Sequence, residues 1–273
     1  MNILELFLLF LLFFTTYYVY YILKEKYETK KSIEELKHKE FPTDYLKIIE
    51  HIPHYKLLND EDKKHLHYLI LRFLHFKKFS GVEVSVTDEM RVSIAFYACF
   101  MTLHMKDEYY DRLNEVVIYP HHLVVDNIRH FNQHSNLILE GINTGSTIVI
   151  AWNDAKRQIY HLSHSNVIVH EFAHELDFAD GLFDGMPLLE NAKYHSFAAV
   201  MFRRFELLNS TYQQGRYIGK YKLIGEYASL NEAEFFAVVS ELYFERAKHL
   251  QNKFPDIYNA LNSFYKLDMA EYN

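Results

Sequence analysis

From Ile3 to Leu23 the chain reads ILELFLLFLLFFTTYYVYYIL, and Glu5 is its only charge. A run that is apolar on every face has no place on the surface of a water-soluble domain, and as a helix it is long enough to span the hydrocarbon core of a bilayer. Glu5 stands at one end, where the interface solvates it. Tyr17, Tyr18, Tyr20 and Tyr21 crowd the other end, as an aromatic belt would. The segment predicts a transmembrane anchor over residues 1–23. A cleaved signal peptide and a buried core helix are the competing expectations, but the basic n-region and small-residue cleavage site of the first are not visible, and a core helix is rarely apolar on every face. Lys24, Lys26, Lys30 and Lys31 follow the run, with no lysine or arginine before it. The positive-inside rule then predicts a single-pass protein of the cell's inner, cytoplasmic membrane with its large domain facing the cytoplasm.

The remainder has a different character. The 273 residues are 49% hydrophobic and 16% aromatic with only eight Gly and five Pro, enough apolar side chain for a substantial core and too few breakers for a disordered chain. The net charge of −7 and the lack of a long basic run exclude direct nucleic-acid binding as an expectation. One cysteine, Cys99 in AFYACFM, cannot form an intrachain disulfide and reads as a core residue, in keeping with a reducing compartment.

Residues 24–40, of mixed charge, read as a solvated helical juxtamembrane stalk, and residues 41–273 as one domain. Pro42 opens a stretch with helical periodicity, in which Leu66, Ile70, Phe73 and Leu74 fall on one stripe. GVEVSVT, from Gly81, alternates as a strand does. DEMRVSIAFYACFMTLHM returns to helix with Asp88 as its expected N-cap. LNEVVIYP (113–120) and GSTIVIAW (145–152) read as short strands. The expected fold class is α+β, mainly helical with a small β-sheet. The chain has 17 histidines, so isolated pairs such as His65 with His67, His121 with His122 and His161 with His164 are read as surface or packing residues.

NVIVHEFAHELDFADG (166–181) is more specific. Its apolar positions Val167, Ile168, Phe172, Ala173 and Leu176 make an amphipathic helix, for which Ser163 or Ser165 is the expected cap and Gly181 the end of the following turn. His170 and His174 lie one turn apart on one face, where two imidazoles can reach one ion. Glu171 is one step round, able to address a water on that ion. This is the H-E-x-x-H pattern of zinc peptidases: zinc lowers the pKa of its water, and the glutamate, as general base, takes the proton and passes it to the leaving amine. A chain this rich in His and Glu can meet the pattern by chance, so a third ligand is the test. Asp180 stands where the extended H-E-x-x-H-x-x-G-x-x-H motif places its last ligand, but Asp177 replaces the glycine that turn needs.

The stronger candidate is Glu234 in EYASLNEAEFFAVVSELYF (226–244). Ser229 with Glu232, or Asn231 with Glu234, could form a capping box, yet Glu234 is flanked by Ala233, Phe235, Phe236, Ala237 and Val238, where a carboxylate needs a partner. Glu241 and Asp177 are candidates for orienting an imidazole, against the plainer reading of exposed or salt-bridged carboxylates.

These two stretches resemble the two signature blocks of the Mlc titration factor A family of zinc peptidases. The resemblance continues through FSGVEVSVTDEMRVSIAFYACFMTL, VVIYP, STIVIAW and FPDIYNALNSFYKLD, from about residue 41 to 268. It implies a zincin-like, zinc-dependent peptidase of aminopeptidase type, with one Zn2+ per chain held by His170, His174 and Glu234 and with Glu171 as base. It also implies a catalytic Tyr227, whose hydroxyl would donate to the oxyanion. The expected partners are peptide or protein substrates, and as an exposed edge strand STIVIAW would lie beside the zinc and pair with the substrate backbone. The alternative it carries is a regulatory protein with a mainly structural zinc site that sequesters a glucose-responsive transcriptional repressor. Glu175 stands where the family often has a basic residue.

Overall fold

A computed structural model describes residues 2–105, 110–120, 146–162, 165–189, 191–215 and 219–272. By internal contacts the chain divides into Met1–Phe41 and Pro42–Asn273. The first unit is one helix, α1 (Ile3–Lys37), running without a break from the apolar segment into the charged one. Glu5 caps it: the Asn2 side chain accepts from the Glu5 amide at 2.8 Å while Glu5 accepts from the Asn2 amide at 2.9 Å. The helix is long and apolar enough to cross a membrane by length and composition, and its Leu, Phe and Tyr side chains from Ile3 to Leu23 are exposed.

The second unit is α+β. Helices α2 (Thr43–Ile49), α3 (Pro53–Leu57) and α4 (Asp60–Phe76) lead into β1 (Lys78–Gly81), followed by α5 (Asp88–Met101), β2 (Leu113–Tyr119) and β3 (Ser146–Ala151). After β3 come α6 (Trp152–Ile159), α7 (Val167–Asp177), α8 (Asn191–Gln213), α9 (Glu232–Glu245), α10 (Ala247–Lys253), α11 (Pro255–Tyr265) and α12 (Met269–Tyr272). The strands form a parallel sheet in the order β1-β2-β3, with Phe79 opposite Val116 and Val116 opposite Ile148. Pro120, which lacks an amide hydrogen, follows the last residue of β2.

The middle of the core is α5, buried from Val92 through Met101, with Phe96 stacked on Phe100 at 5.6 Å. Cys99 is buried there, as its neighbours predict. Phe235, Phe236 and Phe244 of α9 and Phe172 of α7 are fully buried, and α7 packs against both α9 and β3.

Local chemistry changes several expected boundaries. GVEVSVT is not a strand; the strand is the preceding KFSG. The chain turns immediately after Gly81, where a side-chain carbon would lie 2.1 Å from the Val84 carbonyl oxygen, and Glu83 is left-handed at φ 58°. The apolar alternation of those valines reflects a turn folded over the strand end. Helix α5 is capped by Thr87, whose hydroxyl accepts from the Met90 amide, so Asp88 is its first residue rather than its cap. His67 pairs with the Tyr55 hydroxyl at 2.9 Å, a packing role as expected. His121, His122, Ser163 and His164 lie outside the described residues.

Candidate metal centre

Helix α7 begins at Asn166, not at a serine. The Asn166 side chain accepts from the amides of Ile168 (3.1 Å) and Val169 (3.3 Å). Ser165 instead accepts from the Gln158 side chain. Asn166 is itself completely buried and held by α9: its amide donates to Glu241 Oε2 at 2.7 Å and its Nδ2 to Glu245 Oε1 at 2.8 Å. The apolar face of α7 (Ile168, Val169, Phe172, Ala173, Leu176) has no exposed surface, so the opposite edge bearing His170 and His174 has a fixed direction.

Helix α9 supplies the third group. Asn231 is its N-cap and accepts from the Glu234 amide at 2.8 Å; Ser229 donates to the Glu226 carbonyl, so the Ser229–Glu232 box does not form. The Glu234 side chain, 3% exposed, turns away from the cap towards α7. His170 Nε2 lies 3.2 Å from His174 Nε2, Glu234 Oε2 lies 3.2 Å from the first and 3.5 Å from the second, and no other described residue completes such a group. A tetrahedral ion with bonds of about 2.0–2.1 Å holds its donors roughly 3.3–3.4 Å apart, so the triangle has the size an ion would impose. Glu234 Oε2 is buried without a hydrogen bond of normal geometry, an arrangement that a cation would satisfy. The residues fit a metal.

The surroundings are built around the same point. Glu241 Oε1 accepts from His170 Nδ1 at 2.7 Å, which turns Nε2, the nitrogen a metal would take, towards Glu234. Burial disfavours an imidazolium at His170, but Glu234 and Glu241 outweigh it and hold the pKa well above its ordinary value. Burial likewise pushes Glu234 up, and the two imidazoles beside it outweigh that and hold it far below the usual carboxylate range. Glu171, half-buried next to the histidines, is raised, by burial first and then by the charges of Glu234 and Glu241 against the two imidazoles. Tyr227 opens the 3-10 turn Tyr227–Ser229 before α9, and its ring centroid stands 5.8 Å from that of His170. Burial and the neighbouring Glu234 carboxylate raise its pKa well above that of a free phenol, so its hydroxyl keeps its proton.

The other candidates have different partners. Asp180 is exposed and accepts from the Leu182 amide at 2.9 Å. Asp177 is fully buried and accepts from the Gly185 amide at 3.0 Å rather than from an imidazole. Gly181, at φ 99°, closes the turn as expected. Sequence reasoning missed the clamp of Asn166 between Glu241 and Glu245. The available signal is the pair of carboxylates, Glu241 and Glu245, one turn apart in the largely apolar second half of the helix.

A two-histidine, one-glutamate donor set on two packed helices, with a further glutamate beside it, defines a candidate mononuclear metal centre of the kind metal-dependent hydrolases carry. The model of the family "Glucose-regulated metallo-peptidase M90" matches residues 25–266, and the chain belongs to this family of metallopeptidases. An uncharacterized protein of Synechocystis sp. is 30% identical over 80% of this chain and 81% of its own length. Mlc titration factor A of Pectobacterium atrosepticum is 28% identical over 80% of this chain and 83% of its own, and that of Escherichia coli O1:K1 is 29% identical over the same shares. The family implies a metal ion and peptide substrates, as the sequence predicts.

Proposed function

We propose that this chain is a membrane-anchored zinc metallopeptidase of aminopeptidase type, single-pass in the inner membrane with its catalytic unit in the cytoplasm. The observation that carries the reading is the convergence of His170 Nε2, His174 Nε2 and Glu234 Oε2 on one point beside Glu171. These three would hold one zinc per chain. Zinc supplies Lewis acidity there, activating water and polarising the scissile carbonyl.

The chain's own groups do the rest. Glu171 takes the proton of the attacking water and returns it to the leaving amine; burial raises its pKa above that of a free carboxyl, the direction that makes it a better base. Tyr227, kept protonated, donates to the oxyanion as it develops. Glu241 orients His170 through Nδ1. Among the described residues β3 is an edge of the sheet and packs against α7, which supports pairing of its backbone with an extended substrate.

The test is bound zinc together with turnover, on the full chain in detergent. Wild type should carry near one zinc, and Glu234→Ala should lose it. Glu171→Gln should keep the zinc while losing about 10²–10⁴-fold in turnover, the scale of general-base catalysis. Tyr227→Phe should lose about 10²–10³-fold, the scale of one oxyanion donor. Zinc retained by Glu234→Ala would remove Glu234 as a ligand, and unchanged turnover in Glu171→Gln would sink the mechanism.

The relatives named Mlc titration factor A support a second reading, in which the site is mainly structural and the chain sequesters a transcriptional repressor. A structural site has no use for Glu171, so the same Glu171→Gln measurement separates the two.

A further inference from the structure

We infer that the segment after α7 builds an apolar subsite for a substrate side chain, with Phe183 as the specificity-determining residue; this rests on the peptidase reading above. Phe183 is 42% exposed and its neighbour Leu182 57% exposed, two large apolar side chains left in water close to a buried polar cluster. The Phe183 ring centroid stands 6.5 Å from that of His174, one of the two histidines of the donor triangle, while Tyr227 stands against the other, His170, at 5.8 Å.

The exposure is held in place. Phe183 stacks on Phe178 at 4.5 Å with 13° between the planes, and Phe178 also carries the Arg112 guanidinium 5.6 Å from its centroid. Asp177 accepts from the Gly185 amide at 3.0 Å, and Asp184 from that of Met186 at 3.1 Å. Gly185, at φ 73°, lies so close to the first turn of α9 that a side-chain carbon would meet the Glu232 carbonyl oxygen at 2.4 Å. The segment is thus tied at one end to the helix of the histidines and at the other to the helix of Glu234.

A rigid segment presenting an aromatic face next to the reacting centre gains free energy when an apolar group covers that face. The occupant with the right reach is the side chain of the residue flanking the scissile bond, so the substrate class is peptides with a large aliphatic or aromatic residue there. A small or charged side chain at that position would leave Phe183 in water or lose its own solvation.

Binding of amino-acid hydroxamates, which need the metal but no turnover, tests this on the full chain in detergent by titration calorimetry. Wild type should bind leucine hydroxamate at least about tenfold tighter than glycine hydroxamate, the scale of apolar side-chain discrimination in a pocket. Phe183→Ala should reduce that ratio to below about threefold with unchanged metal content, and Phe183→Leu should restore most of it. A wild-type ratio near one, or a ratio unchanged in Phe183→Ala, would overturn the inference. A chain without metal that binds neither compound would overturn it together with the metal-centre reading. Intact discrimination in a metal-loaded chain that cleaves no peptide would leave the subsite standing and remove only the peptidase reading.

Discussion

Glu241 determines which nitrogen of His170 is turned towards the donor triangle, because its Oε1 accepts from Nδ1 and its Oε2 from the Asn166 amide. Glu241→Ala should therefore weaken metal binding about 10–100-fold, read by competition with a chelator. Glu241→Gln, whose carbonyl still accepts, should lose less. Two other buried groups contribute to the pH dependence of stability, with opposite signs. His54, buried and bonded to the Phe244 carbonyl, has its pKa pushed down to about 4 by burial. Between pH 4 and 6.5 the unfolded chain takes up that proton and the folded one does not, so its contribution is lost as pH falls through this window. Asp177 is pushed up to about 7, by burial first and then by Asp184 and Asp180, so its contribution is present at low pH and lost as pH rises from 3.8 to 7. In wild type the two oppose each other. Asp177→Asn should raise the denaturation midpoint at pH 8 and steepen its fall on acidification below pH 6.5; parallel curves from pH 4 to 8 would mean that Asp177 titrates normally. Neither burial is legible in the sequence: His54 is bonded to Phe244, 190 residues away, and Asp177 is enclosed with the turn that brings back the Gly185 amide.

At the scale of the element, two of the capped helices, α5 and α7, differ in what a lost cap would do. Thr87 only accepts from the amide of Met90, so Thr87→Ala should cost about 1 kcal/mol in a denaturation experiment. Asn166 also donates to Glu245, so Asn166→Ala removes a cap and a carboxylate's partner together. It should cost clearly more than the ~1 kcal/mol of a cap alone and lower metal affinity by loosening the start of α7. Equal losses in the two variants would make the Glu245 contact incidental. Helix α7, helix α9 and strands β2 and β3 are legible in the sequence because their apolar periodicity is the same property that packs them. The false strand at GVEVSVT and the misplaced caps show the limit. Periodicity reports which side chains are apolar, while the turn at Glu83 and the choice of Asn166 depend on backbone contacts with β2 and α9.

At the scale of the whole molecule, the large apolar side chains of α1 are exposed along most of its length. The full chain should partition into the membrane fraction, resist extraction by alkaline carbonate and be released by detergent. A chain beginning at Pro42 should be recovered without detergent. Release of the full chain by carbonate would rule out a spanning helix. This property belongs to composition and length alone, and no fold is needed to read it.

The sequence by itself determined the elements and most of the chemistry they carry: an apolar helix at the start, a mainly helical unit with a small sheet, and two histidines with a glutamate between them on one helical face. All of these follow from local periodicity and spacing. Only the tertiary structure decided that Glu234, sixty residues past His174, meets both imidazoles, that Glu241 and not Asp177 orients His170, and that Phe183 stands exposed beside His174. Each of those depends on how α9 and the segment after α7 lie against α7. That placement is set by packing α7 and α9 face to face over a shared core, and no spacing along the chain encodes it.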